Sequence, residues 1–231
     1  IVIKHYLSNE VSFSNIMSNT PSVRQPRQNR SKASQEKIFK GAIKLLTDKG
    51  PEEFTLQELS KRTKVSVGSI YYRFENKDIL LSELQKREYQ KMWDQLSLAI
   101  ESVAQRCQCL TDILENANRT YAEHLRDNAP LIRAFMKIAL TDKSISTTGT
   151  KIYHQSQALY ENLILTHANE IQREQQEKAV HSCFRILHVS IARYLGFGSL
   201  EPITDGLSWE EILNEIADIQ QYYLLSPTLT R

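Results

Sequence analysis

Two helix-start signals that lie only eleven residues apart restrict the fold of this chain more than any other feature. Thr55-Leu56-Gln57-Glu58 is a capping box, in which the threonine hydroxyl accepts a hydrogen bond from a main-chain amide and the glutamate reaches back. Ser66 is a second N-cap residue. The spacing predicts a short helix, a turn at Thr63-Lys64-Val65 and another short helix over Val67–Arg73, which together form a helix-turn-helix.

The remaining pattern predicts helices throughout. Apolar residues recur at helical spacing from Ile38 to Leu46, and Gly50-Pro51 ends that helix. Only 7 glycines and 6 prolines occur in 231 residues, which argues against a turn-rich β fold. Further helices are expected at 77–105, 111–127, 130–142, 150–170, 175–196 and 208–225, with Pro130 and Ser208 at two of the starts. We therefore predict an all-α fold of about nine helices.

Positive charge is concentrated near the N-terminus. Residues 24–77 contain 13 Lys+Arg against 6 Asp+Glu, whereas the rest of the chain contains 16 against 21. Residues 18–33 are polar and carry four cations, Arg24, Arg27, Arg30 and Lys32, a composition that predicts a flexible basic arm. Such an arm either follows a DNA minor groove or is simply solvated. Met17 precedes it, and we expect Met17 to be the initiator, with residues 1–16 as translated upstream sequence.

The second short helix carries side chains suited to contacting a nucleic acid. In a helix-turn-helix the first helix crosses the phosphate backbone and the second enters the major groove. Thr55 and Ser66 offer hydroxyl groups to phosphate oxygens, and Gly68 permits close approach. The other candidate contacts are Val67, Ser69, Tyr71, Tyr72, Arg73 and Lys77. Each could serve only as a cap or a core residue, but together with the basic block they predict DNA binding.

The stretch VSVGSIYYRFENKDILL, residues 65–81, resembles the DNA-binding signature of the tetracycline-repressor (TetR) family of bacterial transcription regulators. The positions that fill the family pattern are Val65, Ser66, Gly68, Ile70, Tyr71, Phe74, Lys77 and Leu80. The resemblance extends over residues 33–81. It implies phosphate contacts from Thr55, Ser66, Tyr71 and Lys77, and base contacts from Val67, Ser69 and Tyr72.

The chain departs from this signature at two positions. Lys64 occupies the turn position that is usually glycine, so it is expected to adopt a left-handed backbone at a cost of about 1 kcal/mol. Arg73 replaces the usual histidine before Phe74, which keeps a hydrogen-bond donor and adds a permanent charge. Neither change removes the predicted DNA binding, although Arg73 is placed to alter affinity or operator choice.

The sequence predicts three segments. They are a disordered extension and basic arm at 1–32, a helix-turn-helix domain at 33–80, and a helical effector-binding and dimerisation domain at 81–231. One helix-turn-helix makes few contacts, so we expect a homodimer on half-sites about 34–36 Å apart. Apolar stripes on the last two helices are the candidate interface, unless they face only the intramolecular core. The candidate residues are Phe184, Leu187, Ile191, Ile212, Ile216, Ile219 and Tyr223.

The middle helices carry mixed aromatic, aliphatic and polar positions. The family resemblance implies that such helices surround a pocket for a small-molecule effector, whose identity the sequence leaves open. The candidate pocket residues are Trp93, Leu96, Ile100, Tyr121, Phe135, Met136, Tyr153 and Tyr160. The same residues would equally serve a filled core.

Other function classes find little support. Three cysteines cannot form a disulfide framework, and no apolar run approaches the length of a membrane span. The histidines lack metal-ligand spacing, and no phosphate-binding loop or hydrolase motif occurs, so no metal, cofactor or catalytic residue is predicted. We predict a cytoplasmic, homodimeric, ligand-responsive repressor that binds a palindromic double-stranded DNA operator. The alternatives are an accessory DNA-binding protein without an effector, and a sensor or interaction protein that no longer reads DNA.

Overall fold

A computed structural model describes residues 29–198 and 202–227, with side chains from residue 32 onward, and every regular element in these ranges is helical. The eight α-helices are α1 (Asn29–Lys49), α2 (Leu56–Thr63), α3 (Val67–Tyr71), α4 (Lys77–Arg106), α5 (Leu110–Ala139), α6 (Lys143–Leu165), α7 (Gln176–Tyr194) and α8 (Trp209–Leu225). A short 3₁₀ helix spans Ala168–Glu170. None of the described helices combines the length and apolar character needed to cross a membrane.

The all-α prediction is confirmed, but several helix boundaries differ from those expected. Helix α1 begins at Asn29, inside the predicted flexible arm, because Arg, Lys and Ala readily extend a helix that packing has already stabilised. Helix α6 begins at Lys143 rather than 150. The predicted helices 111–127 and 130–142 are one continuous helix, α5, with Pro130 inside it.

Pro130 was expected to start a helix because a proline inside a helix removes one main-chain hydrogen bond. The helix nevertheless continues, and the residues on both sides of the proline are buried: Ala129 is 4% exposed and Leu131 is 7% exposed. Burial of these neighbours offsets the lost hydrogen bond, so one continuous helix stands where two were predicted.

The described chain forms two compact units, and the predicted boundary at 80/81 falls inside the unbroken helix α4. The N-terminal unit comprises residues 29–90 and 130–149. Its core is built on the buried stripe of α1, in which Ile38, Phe39 and Leu45 are at most 4% exposed. The Phe39 ring packs 5.5 Å from the Phe74 ring, which places the segment after α3 against α1.

The C-terminal unit comprises residues 91–129 together with the described residues from 150 onward. At its centre lies an aromatic cluster of five rings: Tyr121, Tyr153, Tyr160, Phe184 and His188. The Phe184 ring is fully buried, and its centroid lies 5.2–5.7 Å from those of the three tyrosines. Neighbouring rings at these separations and tilts gain about 0.5–1.5 kcal/mol per pair beyond burial.

A buried polar network adjoins the aromatic cluster. The Tyr160 hydroxyl lies 2.8 Å from Oδ1 of Asn118 and 3.1 Å from Oε1 of Gln220. The Asn118 amide donates to the same Gln220 oxygen at 2.9 Å, and the Gln220 amide donates to the carbonyl oxygen of Cys183 at 3.0 Å. Because Gln220 and Asn118 are almost fully buried, these mutual bonds satisfy groups that water cannot reach.

Candidate nucleic-acid interface

Helix α2 begins at the predicted cap residue, but only the threonine half of the predicted capping box is seen among the described residues, because the Glu58 carboxylate bonds to Lys61 instead. The Thr55 hydroxyl accepts a hydrogen bond from the Glu58 amide at 3.1 Å, while Phe54 is buried. The Glu58 carboxylate accepts from Lys61 at 3.0 Å, and this interaction lowers the pKa of Glu58. The Thr55 side chain is therefore exposed at the start of α2 but already engaged as a cap.

The turn between α2 and α3 has the predicted strained backbone. Lys64 has φ 58° and ψ 25°, in the left-handed region, and its amide donates to the Ser60 carbonyl at 2.9 Å. This geometry ends α2 and sets the direction of α3. Leu59 and Ile70, on either side of the turn, have no exposed surface, whereas Val65 is half-buried.

Helix α3 attaches to the N-terminal unit through one fully buried side chain, Ile70. Its cap is Ser66, whose hydroxyl accepts from the Ser69 amide at 3.2 Å and donates to the Ser69 hydroxyl at 2.9 Å. Tyr71 and Tyr72 are 53% and 60% exposed, and Val67 and Ser69 are half-buried. The face of α3 opposite Ile70 is thus available to a partner.

Gly68 lies on this open face, and the fold does not require a glycine there. A Cβ built on Gly68 would meet no atom within 4 Å, and the residue has no positive φ. Glycine in a helix costs roughly 0.5–1 kcal/mol relative to alanine. A destabilising residue without an internal packing role is typical of a site where another molecule approaches the backbone closely.

The cationic candidate residues on this segment, Arg73 and Lys77, already make contacts within the chain. Arg73 Nη1 donates to the Ser69 carbonyl at 3.0 Å, so this guanidinium folds back along its own helix. Lys77 Nζ donates to the Pro51 carbonyl at 3.3 Å and lies 5.4 Å from the centre of the Phe54 ring. Both side chains are half-buried. Each therefore has a structural role beside any contact with phosphate.

The basic arm falls largely outside the described residues. Arg24 and Arg27 lie outside them, as does Met17, and Arg30 is described only as backbone within α1. Lys32 is exposed on α1. Along the same helix Lys37, Lys40 and Lys44 are also exposed, and their three- and four-residue spacing places them on one face.

The predicted effector residues are divided between the two units. Phe135 and Met136 belong to the N-terminal unit, where the Phe135 ring packs edge-on against Tyr89 at 5.5 Å. The other predicted residues belong to the C-terminal unit. There Leu96, Ile100, Tyr121 and Tyr160 are at most 3% exposed, whereas Trp93 and Tyr153 are half-buried.

His188 lies in the aromatic cluster beside the predicted pocket residues Tyr121 and Tyr153. Its Nδ1 lies 2.7 Å from the Tyr121 hydroxyl oxygen. Burial lowers the pKa of His188 to about 4, and burial raises the pKa of Tyr121. Both side chains are therefore uncharged at neutral pH.

The predicted dimer residues are mostly core residues. Phe184, Leu187 and Ile191 have no exposed surface within the single chain, and Ile216 is 3% exposed, so they cannot contribute area to a partner. Ile212 and Tyr223 are half-buried. Only Ile219, at 54%, is substantially exposed. The period of the apolar stripe marks a buried face but does not tell which chain covers it, and here the chain itself does.

Other exposed apolar side chains on α7 and α8 were missed by the sequence reasoning. They are Ile186, Val189, Tyr222 and Leu225. They lie on the faces opposite the buried stripes and are interspersed with charged residues, so hydrophobic periodicity gives them no signal. Among the described residues there is also no group of three or more His, Cys, Asp or Glu that could hold a metal ion.

One family model matches the part of the chain that contains these features. The family described as "Bacterial regulatory proteins, tetR family" matches residues 38–84, which include α2, the turn and α3. No curated protein matches the chain significantly.

Solved structures match over most of the chain. A candidate TetR-family transcriptional regulator from Mesorhizobium loti is similar with a TM-score of 0.68 and 17% identity, covering 85% of this chain and 98% of that one. A TetR transcription regulator from Haloarcula marismortui matches with a TM-score of 0.61 and 15% identity, covering 84% and 97%. A transcriptional regulator from Rhodococcus matches with a TM-score of 0.60 and 18% identity, covering 83% and 96%.

These identities are too low to show more than a shared fold. The family match over residues 38–84, however, coincides with the capped helix-turn-helix, its left-handed turn and the exposed face of α3. Residues 38–84 thus match the model of the family described as "Bacterial regulatory proteins, tetR family", and the described chain shares the fold of the TetR-family transcriptional regulators it resembles.

Proposed function

We propose that this protein is a sequence-specific DNA-binding transcriptional regulator that reads the major groove with α3. The observation that carries the proposal is the asymmetry of that helix. Ile70 alone is fully buried, while Gly68, Tyr71 and Tyr72 lie open to a partner. A small, hydroxyl-rich and glycine-containing helix face suits the close approach that base-edge contacts need.

Selection of bound fragments from a random duplex library tests this function. We expect enrichment of a palindrome whose half-sites lie about 34–36 Å apart. The observed affinity should fall steeply as salt concentration rises, because phosphate contacts release counterions. If no duplex is preferred over a scrambled one, the protein is better explained as a sensor or interaction protein that does not read DNA.

Two substitutions on α3 separate phosphate contacts from base contacts. Tyr71→Phe removes only a hydroxyl from an exposed ring, so it should weaken binding to all duplexes by a similar factor. Ser69→Ala should instead change which sequence is preferred, with about 1–3 kcal/mol at the affected base pair. Equal effects of the two variants on all sequences would contradict this division of roles.

We propose that the active form is a homodimer joined through the exposed faces of α7 and α8. Ile186, Val189, Ile219 and Tyr222 are 38%, 60%, 54% and 78% exposed. The α7 face also carries Arg185 and Arg193, whereas the α8 face carries Glu215 and Asp218. In a two-fold arrangement that packs α7 of each copy against α8 of the other, the basic face meets the acidic face twice, which favours a second copy of this chain as the partner.

The combined variant Val189→Asp/Ile219→Asp tests the interface. Because both side chains are exposed, we expect each chain to stay folded, by circular dichroism, while sedimentation velocity shows loss of the dimer. Leu98→Asp is a matched control, since Leu98 is 70% exposed on α4. A double variant that sediments as the wild type would refute this interface.

We further propose that a small molecule binds in the C-terminal unit and controls DNA binding. Within the described part of this unit, Ser97 Oγ, Gln155 Oε1 and Trp209 Nε1 are buried without a hydrogen-bond partner. Buried polar atoms are normally satisfied, so these three indicate groups that a ligand could engage. The identity of that ligand is open.

A thermal-shift screen of chemically diverse compounds tests effector binding. A ligand at about 100 times its Kd adds about 2.7 kcal/mol to the free energy of unfolding. Hits should also release the selected operator, which would support repression relieved by a ligand. Operator binding without any stabilising compound would favour an effector-independent accessory DNA-binding protein.

A further inference from the structure

An open groove lies beside the turn of the helix-turn-helix, between the N-terminal part of α1 and the start of α3. Its volume is about 430 Å³, and it is lined by Ala33, Ser34, Lys37, Lys64, Val65, Ser66 and Ser69. Two ammonium groups and three hydroxyls therefore border it, and no lining residue is acidic. The groove has ample room for one phosphodiester group.

The two lysines of the groove are uncommitted. Within the described part of the chain, neither Lys37 nor Lys64 has a carboxylate oxygen within the 4.0 Å of an ion pair. Neighbouring Lys61, by contrast, is paired with Glu58 at 3.0 Å, and Lys49 lies 3.8 Å from the same carboxylate. Two lysines that make no ion pair among the described residues thus border the groove.

Lys64 is also the strained residue of the turn. Its left-handed backbone, with φ 58°, costs about 1 kcal/mol for a side chain with a Cβ, whereas glycine would adopt it freely. Such strain in an exposed cationic residue indicates a functional contact that offsets it.

We propose that this groove, formed by α1 and the turn, holds one backbone phosphate of the bound duplex, with Lys37 and Lys64 as its cations. The Ser34 hydroxyl borders the same space and can donate to a phosphate oxygen, whereas the Ser66 hydroxyl proton is already donated to Ser69. The inference rests on the proposed function and adds to it a phosphate contact from the turn itself. A phosphate contact fixes register and affinity but carries no base information.

Lys64→Gly separates the charge from the strain, because its two effects have opposite signs. The glycine relieves the left-handed backbone, so the melting temperature should rise by about 2–4 °C. Loss of the charge should lower duplex affinity at 0.1 M salt about eightfold for each bound chain, and should reduce the salt slope by about 0.9 per chain. The probe is the duplex selected by the wild-type protein, with a scrambled duplex of equal length beside it.

Three further variants isolate the charge. Lys64→Gln removes the ammonium but keeps a Cβ, so it should lose affinity as Lys64→Gly does without gaining stability. Lys64→Arg should restore the affinity and the salt slope, and Lys37→Gln should reproduce the loss. Lys178→Gln removes an exposed cation from the C-terminal unit and should leave duplex binding unchanged.

The outcomes separate this inference from the proposed function. If the wild type binds no duplex in a salt-dependent manner, the proposed function itself fails. If the wild type binds and the Lys64 variants match it in affinity and salt slope, the phosphate site is refuted and the function stands. Calorimetric titration with inorganic phosphate alone tests whether the groove binds the free anion. Phosphate binding that Lys64→Gln abolishes, with duplex binding unchanged, would overturn the assignment to the DNA backbone.

Discussion

Two pairs of tyrosines show how differently α3 and the aromatic cluster of the C-terminal unit use the same side chain. Tyr71 and Tyr72 on α3 are 53% and 60% exposed, whereas Tyr121 and Tyr160 in the C-terminal unit are 3% and 1% exposed. The buried pair packs around Phe184 and has hydrogen-bond partners for both hydroxyls. The rings on α3 are exposed and, under the proposed function, contact DNA, whereas the rings of the aromatic cluster contribute to stability through burial.

The largest effect that would test this contrast comes from Phe184→Ala. Phe184 is fully buried among three tyrosines, so its truncation should lower the free energy of unfolding by about 3–5 kcal/mol. Tyr71→Ala is the matched exposed variant and should change it by less than about 0.5 kcal/mol. Urea denaturation followed by circular dichroism measures both. Similar losses in the two variants would break the contrast.

The next effect concerns acid stability. The His188 pKa is about 4 in the folded protein and about 6.5 in the unfolded chain, so between these values the unfolded state binds the additional proton. The contribution of His188 to the free energy of unfolding is therefore fully present above pH 6.5. It decreases by up to about 3 kcal/mol as the pH falls to 4. His188→Phe should lack that component in denaturation series at several pH values. An unchanged pH dependence would show that the folded imidazole titrates normally.

The smallest expected effect is a change in stability at two glycines of the N-terminal unit, Gly68 and Gly41. Gly68→Ala should stabilise the protein by roughly 0.5–1 kcal/mol, because its Cβ enters open space, yet weaken operator binding. Gly41→Ala should destabilise it by about 1–3 kcal/mol, because its Cβ would lie 2.3 Å from Thr63 Cγ2. Thermal unfolding and operator titration of both variants provide the check. If Gly68→Ala bound DNA as the wild type does, the backbone of α3 would not approach the duplex closely.

The helix-turn-helix could be predicted from sequence because local chemistry determines it. The caps at Thr55 and Ser66, the left-handed Lys64 and the buried Ile70 each follow from a residue and its near neighbours. The capping box at Ser208 is likewise confirmed, with Ser208 and Glu211 bonding to each other's amides. These features need no knowledge of the rest of the fold.

The predictions that failed concern features that depend on tertiary packing. Pro130 follows a rule for helix starts, but burial of its neighbours keeps α5 continuous. The stripe of Phe184, Leu187 and Ile191 was a correct reading of a buried face, yet that face is covered by the chain's own core. Whether an apolar face meets its own chain or a second copy depends on contacts far apart in sequence, which periodicity does not record.

The polar network around Gln220 restricts how α8 can pack against its neighbours. Purely apolar helix faces tolerate sliding and rotation, whereas Gln220 must meet Asn118, Tyr160 and the Cys183 carbonyl at the same time. A shift of α8 by one residue would turn Gln220 through about 100° and leave several buried polar atoms without hydrogen-bond partners. The hydrogen bonds of Gln220 therefore fix the axial position and the rotation of α8. As a result, the outward-facing side chains of that helix are also held at fixed positions.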